Sequence, residues 1–160
     1  MAHGCHGEGM PQHREKRILP YKAAQIYDLV ADVARYPEFL PWTAAARIRS
    51  RQPLPERSEG AEVMEADLVI SFKVFREKFG SRVVLLPAER RIETDYIDGP
   101  FKYLHSFWEV EPEGDGCRVR FEVDFEFRNA MLQRIIGLVF DEAMRRVVGA
   151  FEARAHKLYG

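Results

Sequence analysis

The final stretch of the chain, Asn129 to Tyr159, constrains the fold most, because it predicts one long helix. Its apolar residues recur with a helical period, and Asn129 is a suitable N-cap. A helix of about 28 residues is roughly 42 Å long, so its apolar stripe needs a broad partner surface. Gly137 and Gly149 lower helix propensity, and we expect close approach of a packed element to compensate. The stripe consists of Met131, Ile135, Leu138, Val139, Met144, Val147, Val148 and Phe151, with Ile136, Phe140 and Ala155 widening it.

Most of the preceding chain predicts β-strands. Cys117 to Phe127 is the clearest, because apolar and charged residues alternate there as in a strand that is buried on one face only. Lys22 to Val33 predicts a short helix. This order and the hairpin-type links predict an α+β fold with a curved antiparallel sheet of about seven strands around the last helix. The other predicted strands are Gln12 to Leu19, Thr43 to Arg51, Ala61 to Ile70, Phe72 to Leu86 with a possible bulge at Gly80, Glu89 to Ile97 and Phe101 to Pro112.

Length and charge describe an ordinary globular chain. Its 160 residues and 46% hydrophobic content predict one domain over residues 11–160, after a polar tail over residues 1–10 that we expect to be disordered. A net charge of -1 gives no global reason to expect nucleic acid as a partner. No apolar run approaches the ~20 residues of a membrane span. His3, Cys5 and His6 lack a second ligand pair at zinc spacing, so we predict no metal site.

Common catalytic machinery is absent from the sequence. There is no glycine-rich phosphate loop and no nucleophile elbow. Glu77 and Asp95 are the acid or base candidates. Glu77 shares a period-two face with Phe75 and Phe79, so it is buried if that face is inward and solvated if it is outward. We predict no catalytic residue and no cofactor.

The chain is rich in aromatic residues, with 11 Phe, 6 Tyr and 2 Trp. Tyr36 to Trp42 concentrates large apolar side chains between two prolines, which exclude a regular helix or central strand. This segment is either a core plug beneath a loop or the wall or entrance of a pocket.

Several motifs together resemble one family. Leu19-Pro20-Tyr21, Tyr27 to Val33 and Tyr36 to Trp42 look like the opening of the coenzyme Q-binding START-like proteins, within the polyketide cyclase/dehydrase superfamily. That group includes the ribosome-association toxin RatA. The resemblance continues through Phe79 to Val83, Ile97 to Lys102, Val123 to Phe127, Ala150 to Ala155 and Leu158 to Gly160.

The resemblance implies a helix-grip fold with a hydrophobic tunnel between sheet and helix. It implies non-catalytic binding of ubiquinone or a related polyprenyl lipid, in support of respiratory electron transport or quinone biosynthesis. Phe72 and Pro37 to Trp42 are expected to form a mouth that touches a membrane surface transiently. Location would be cytoplasmic and peripheral to the inner membrane, or on the matrix side in mitochondria. The expected tunnel lining is Phe39, Leu40, Trp42, Phe75, Phe79, Phe107, Phe121, Phe125, Ile136, Phe140 and Met144, with Tyr96, Tyr103, His105 or Lys102 as head-group donors.

The alternative function is that of a RatA-type toxin, which binds the large ribosomal subunit and blocks subunit association. It predicts a basic face and salt-dependent association, which the near-zero net charge disfavours. We expect a monomer or a weak homodimer. The face would consist of Arg47, Arg49, Arg51 and Arg82.

Overall fold

The computed structural model describes residues 12–72 and 75–160, so the predicted tail, with His3, Cys5 and His6, lies outside the described residues. A short 3-10 helix, Val33–Glu38, follows the first α-helix. In chain order the elements are β1 (Gln12–Leu19), α1 (Ala23–Ala31), β2 (Thr43–Pro53), β3 (Glu62–Phe72), β4 (Phe75–Leu86), β5 (Arg91–Asp98), β6 (Phe101–Glu113), β7 (Gly116–Phe127) and α2 (Ala130–Tyr159).

The strands form one antiparallel sheet in the order β1-β7-β6-β5-β4-β3-β2. The predicted α+β architecture of a curved seven-stranded sheet with a long C-terminal helix is therefore confirmed. The register of β4 against β5 shifts beside Gly80, where Gly80 pairs with Asp98 and Ser81 pairs with Tyr96. The extra residue of this bulge is therefore Ile97 on β5 and not the predicted Gly80 on β4. Bulges increase local twist, and β2 carries two further register shifts against β3. The concave face that results receives α2.

Asn129 caps α2 as predicted, since its side-chain oxygen accepts a hydrogen bond from the Leu132 amide at 3.0 Å. Charged hydrogen bonds stabilise the packing of the C-terminal half of α2 against the rest of the protein. Arg17 of β1 donates to Glu152 at 2.6 Å, and Arg154 donates to Glu38 at 2.7 Å. These contacts fix the helix over the sheet.

The predicted apolar stripe of α2 is wrong over its first turns. Leu138 is 83% exposed and Met131 is 67% exposed, and Ile135 and Val139 are exposed as well. Residues follow one another at about 100° around a helix, so these four share one side of α2 and the buried Phe140 lies on the opposite side. The sheet covers one side only, and it leaves apolar residues on the other.

The expectation for the helix glycines is also wrong. Apart from the neighbouring backbone of the helix itself, no atom of residues 12–72 or 75–160 lies within 4 Å of the position that a Cβ would take at Gly137 or Gly149. No packed element of this part of the chain approaches the backbone there, so both positions have room for a side chain among the described residues.

Candidate functional site

A cavity of about 280 Å³ lies between α2 and the concave face of the sheet. Its wall combines inward-facing residues of β3 to β7, one face of α2 and the segment that ends at Thr43. Because β-strand side chains alternate between faces, every second residue along part of each of these strands reaches it. Of the eleven residues predicted to line a tunnel, eight line this cavity: Leu40, Trp42, Phe79, Phe121, Phe125, Ile136, Phe140 and Met144.

Phe39, Phe75 and Phe107 do not line the cavity, which corrects their predicted position. Phe39 packs edge-on against Phe151 at 5.2 Å between ring centroids, so it is a core plug. Phe75 is the first residue of β4 and is absent from the wall.

Phe107 lies on the outer face of the sheet. The Arg91 and Arg120 guanidinium carbons sit 4.3 Å and 5.0 Å from its ring centroid. The physical reason is the strand period: Ser106 and Trp108 point inward, so Phe107 between them points outward.

The two candidate catalytic carboxylates lie away from the cavity. Glu77 is exposed on β4. Asp95 is 61% exposed and contacts the His105 ring at 2.8 Å. Neither lines the cavity wall, and of the two alternatives for Glu77 the structure shows the solvated one.

The four predicted head-group donors also lie elsewhere. Tyr103 donates to Asp124 at 3.0 Å, and burial, together with this hydrogen bond, raises the pKa of its phenol. Lys102 pairs with Glu126, and Tyr96 accepts from the Phe101 amide. None of these three side chains, nor His105, lines the cavity.

Four hydroxyl residues that the sequence interpretation did not assign to the site line the cavity, and three of them lie on neighbouring strands: Ser81 on β4, Thr94 on β5 and Ser106 on β6, with Thr43 apart on β2. We refer to Ser81, Thr94 and Ser106 as the hydroxyl row. Thr94 and Ser106 are directly opposed across the β5–β6 pair, so their Cβ atoms are roughly 5 Å apart. The alternation of Leu104, Ser106 and Trp108 on β6 was the signal that could have found this position.

Trp42 and Phe72 form an aromatic pair at one edge of the cavity. Their rings meet edge-on with centroids 5.5 Å apart, and both are half-buried. Trp42 has a φ of 64°, a left-handed conformation that is unfavourable for a bulky residue. Its carbonyl accepts from the Ser71 amide at 2.8 Å, which holds this conformation. The chain thus fixes the position of Trp42 where β3 ends.

The predicted basic face carries mixed charge. Arg49 donates to Asp67 through Nε at 3.0 Å, and this hydrogen bond lowers the pKa of the buried Asp67 carboxyl. Arg51 pairs with Glu62. Arg82 lies 3.7 Å from Glu65. Three of the four arginines of the predicted basic face therefore have acidic partners on β3.

Two properties of the described residues bear on the kind of site. No helix within residues 12–72 and 75–160 is long and apolar enough to span a membrane. In the same part of the chain, no group of three or more His, Cys, Asp or Glu side chains is placed to hold a metal ion.

Two curated relatives differ in what their names state. A ribosome association toxin RatA of Rickettsia prowazekii is 37% identical over 152 residues, covering 93% of this chain and 99% of that protein. A mitochondrial coenzyme Q-binding protein of Xenopus laevis, COQ10 homolog B, is 29% identical, covering 93% of this chain and 59% of that protein.

Two solved structures share the fold. An 18 kDa protein of Caulobacter crescentus is 34% identical with a TM-score of 0.78, over 94% of this chain and 99% of that one. A Streptomyces aromatase/cyclase has a TM-score of 0.76 at 17% identity, over 92% of this chain and 94% of that one, and shows the fold alone. Residues 19–152 match the family described as polyketide cyclase/dehydrase and lipid transport. The chain belongs to this START-like family.

Proposed function

We propose that the cavity binds ubiquinone or a related polyprenyl lipid and that the protein does so without catalysis. The observation that carries the proposal is the apolar cavity enclosed by α2 and the sheet. Burial of apolar ligand surface there is favourable by about 25 cal/mol per Å². The coenzyme Q-binding relative supports the choice of ligand class.

The size of the cavity suits part of such a lipid. Its volume of about 280 Å³ is at the lower end of small-molecule sites, which span roughly 300–1,000 Å³. A quinone ring and the start of a tail would occupy it. The rest of the tail would leave past Trp42 and Phe72, the aromatic pair at its edge.

The surroundings of the cavity favour binding over chemistry. Its wall contains neither Glu77 nor Asp95, the carboxylates that could have acted as general acid or base. Its polar side chains are mainly neutral hydroxyls and indoles. A proton-transfer role needs a group that ionises near the working pH, and the wall supplies none among the described residues.

We further propose that the protein meets a membrane surface transiently to exchange its lipid. Leu138 and Met131 are exposed apolar side chains near the start of α2. The start of α2 and the end of β3, with Phe72, lie at the same end of the sheet. An apolar surface next to the cavity edge supports exchange with an inner membrane.

Organic extraction of the purified protein, followed by mass spectrometry, tests this function. A near-stoichiometric quinone is the expected result. Phe140→Glu places a charge in the cavity wall and should abolish retention, whereas Leu158→Glu, at an exposed position near the other end of the same helix, should retain the lipid. Circular dichroism checks that both variants fold. Equal retention by both would contradict binding in the cavity.

The second candidate function is association with the large ribosomal subunit. The observation that favours it is the 37% identity to a protein named ribosome association toxin over 99% of that protein's length. The mixed charge of the β2–β3 face disfavours it. Co-sedimentation with large ribosomal subunits at low salt, falling steeply as salt rises, is the expected result if it holds. No co-sedimentation at low salt would remove this candidate.

A further inference from the structure

The hydroxyl row stands out because the cavity around it is apolar. Neighbouring wall residues include Val83, Ile92 and Trp108. The hydroxyl row therefore places three polar oxygen atoms on the sheet side of an otherwise apolar cavity. Each oxygen comes from a different strand: Ser81, Thr94 and Ser106.

The hydrogen-bonding capacity of the row is largely unused. The Ser81 hydroxyl donates to the Ala66 carbonyl at a long 3.4 Å. Thr94 and Ser106 have no hydrogen-bond partner for their side chains among the described residues. Both hydroxyls face the cavity, and each can donate a hydrogen bond to a bound ligand and accept one from it. The two opposed hydroxyls therefore match an oxygen atom on a ligand.

The row lies deep relative to the aromatic pair at the cavity edge. Ser81 is six residues along β4 from Phe75, the residue paired with Phe72, which is roughly 20 Å of strand. The hydroxyl row and the Trp42–Phe72 pair therefore occupy different parts of the site. An amphipathic ligand that satisfies both must point its polar end inward.

We propose that Thr94 and Ser106, flanked by Ser81, form a head-group subsite that binds a ring carbonyl or hydroxyl, so the ligand enters head first with its apolar tail toward Trp42. This inference rests on the proposed function. It assigns the ligand class as an oxygen-bearing ring with one apolar tail. It also excludes the outer-face side chains Tyr103 and His105 as head-group donors.

The test compares two probes that differ in the ring oxygens: decylubiquinone and a decylbenzene without oxygen, each titrated by calorimetry. The double variant Thr94→Val/Ser106→Ala removes both opposed hydroxyls with little change in shape. We expect its affinity for the quinone to fall about tenfold, a change of about 1.4 kcal/mol, and its affinity for the hydrocarbon to stay within about twofold. Thr94→Ser, which keeps a hydroxyl, should retain quinone affinity.

An infrared measurement gives a second readout that packing changes would not move. The quinone carbonyl stretch should shift to lower frequency in the wild-type complex and return toward its unbound value in the double variant. Unchanged quinone affinity and an unchanged carbonyl band in the double variant would overturn the subsite while leaving cavity binding intact. An equal loss of affinity for decylubiquinone and for decylbenzene in the double variant would also overturn the subsite. Failure of the wild-type protein to bind either probe would overturn the proposed function itself.

Discussion

The Nδ1 atom of His13 lies 3.0 Å from Oδ1 of Asp141, and its Nε2 atom lies 2.7 Å from Oε1 of Glu15. His13 is buried on β1, and Asp141 is in the middle of α2, so this ring joins the sheet edge to the helix. Ionised carboxylates only accept hydrogen bonds, so both contacts are hydrogen bonds only when both ring nitrogens carry a hydrogen. The ring also meets Phe140 edge-on at a cavity wall.

Replacement of His13 should destabilise the protein more than replacement of its helix partner. His13→Ala removes a buried ring and leaves Glu15 with fewer partners, so we expect a loss of about 2–3 kcal/mol in the free energy of unfolding. Asp141→Asn alters a side chain that is 64% exposed. This substitution should change the free energy of unfolding by less than about 0.5 kcal/mol. Urea denaturation measures both. Equal losses would mean that the exposed contact with Asp141, and not the buried ring of His13, stabilises the packing of the helix.

The Arg49–Asp67 pair predicts a dependence of stability on pH. The hydrogen bond from Arg49 lowers the pKa of Asp67 in the folded state below its unfolded value of ~3.9. Its contribution is therefore fully present above about pH 4 and is lost as pH falls through the lowered folded pKa.

Asp67→Asn should consequently be less stable than wild type at pH 7, by about 1–2 kcal/mol, and the difference should shrink below about pH 4. Thermal denaturation at a series of pH values measures it. Asp98→Asn is a suitable control, since Asp98 is 63% exposed and lies farther from Arg49, at 3.5 Å. A difference that grows at low pH would contradict the assignment of Asp67 as the titrating group.

The helix glycines predict gains in stability. Gly137→Ala and Gly149→Ala add a methyl group to open space and improve helix propensity, so each should stabilise the protein by up to about 1 kcal/mol. Gly99→Ala should destabilise it instead, because Gly99 has a φ of +135° and its Cβ would lie 2.6 Å from the Phe79 Cβ. Chemical denaturation of the three variants separates these effects. A loss at either helix position would show that a hidden packing constraint exists there.

The sheet was largely predictable because its strands carry alternation and clear turn signals. β1 was predicted with both ends correct, and β7 was predicted to within one residue of Gly116–Phe127. Period two fixes which residues share a face once the strand is recognised. The sequence does not state directly which of the two faces is inward.

The errors in the site have two physical origins. Phe107 was predicted to line the tunnel, although Ser106 and Trp108 on the same strand point inward and the strand period therefore excludes it. Small hydroxyl side chains give no hydrophobic signal of their own. The alternation on β6 could have placed Ser106, but the proximity of all three hydroxyls depends on the pairing of β4, β5 and β6. The burial of Asp67 likewise depends on its contact with Arg49 across β2 and β3.

The exposed side of α2 predicts reversible binding to membranes. Leu138 and Met131 are apolar side chains with most of their surface in water, and insertion of each into a bilayer interface removes that surface. The double variant Met131→Gln/Leu138→Gln should bind phospholipid vesicles about tenfold more weakly in a co-sedimentation assay. Its affinity for decylubiquinone should stay unchanged, since neither residue lines the cavity.

Ile18→Gln provides the matched control for that variant. Ile18 is 60% exposed, but it lies on β1 at the opposite end of the sheet from the start of α2. If the start of α2 meets the membrane, Ile18→Gln should bind vesicles as the wild type does, and lipid transfer between vesicles should slow only in the α2 variant. Equal weakening by both would mean that vesicle binding follows general surface hydrophobicity, and the α2 surface would then have no part in lipid exchange.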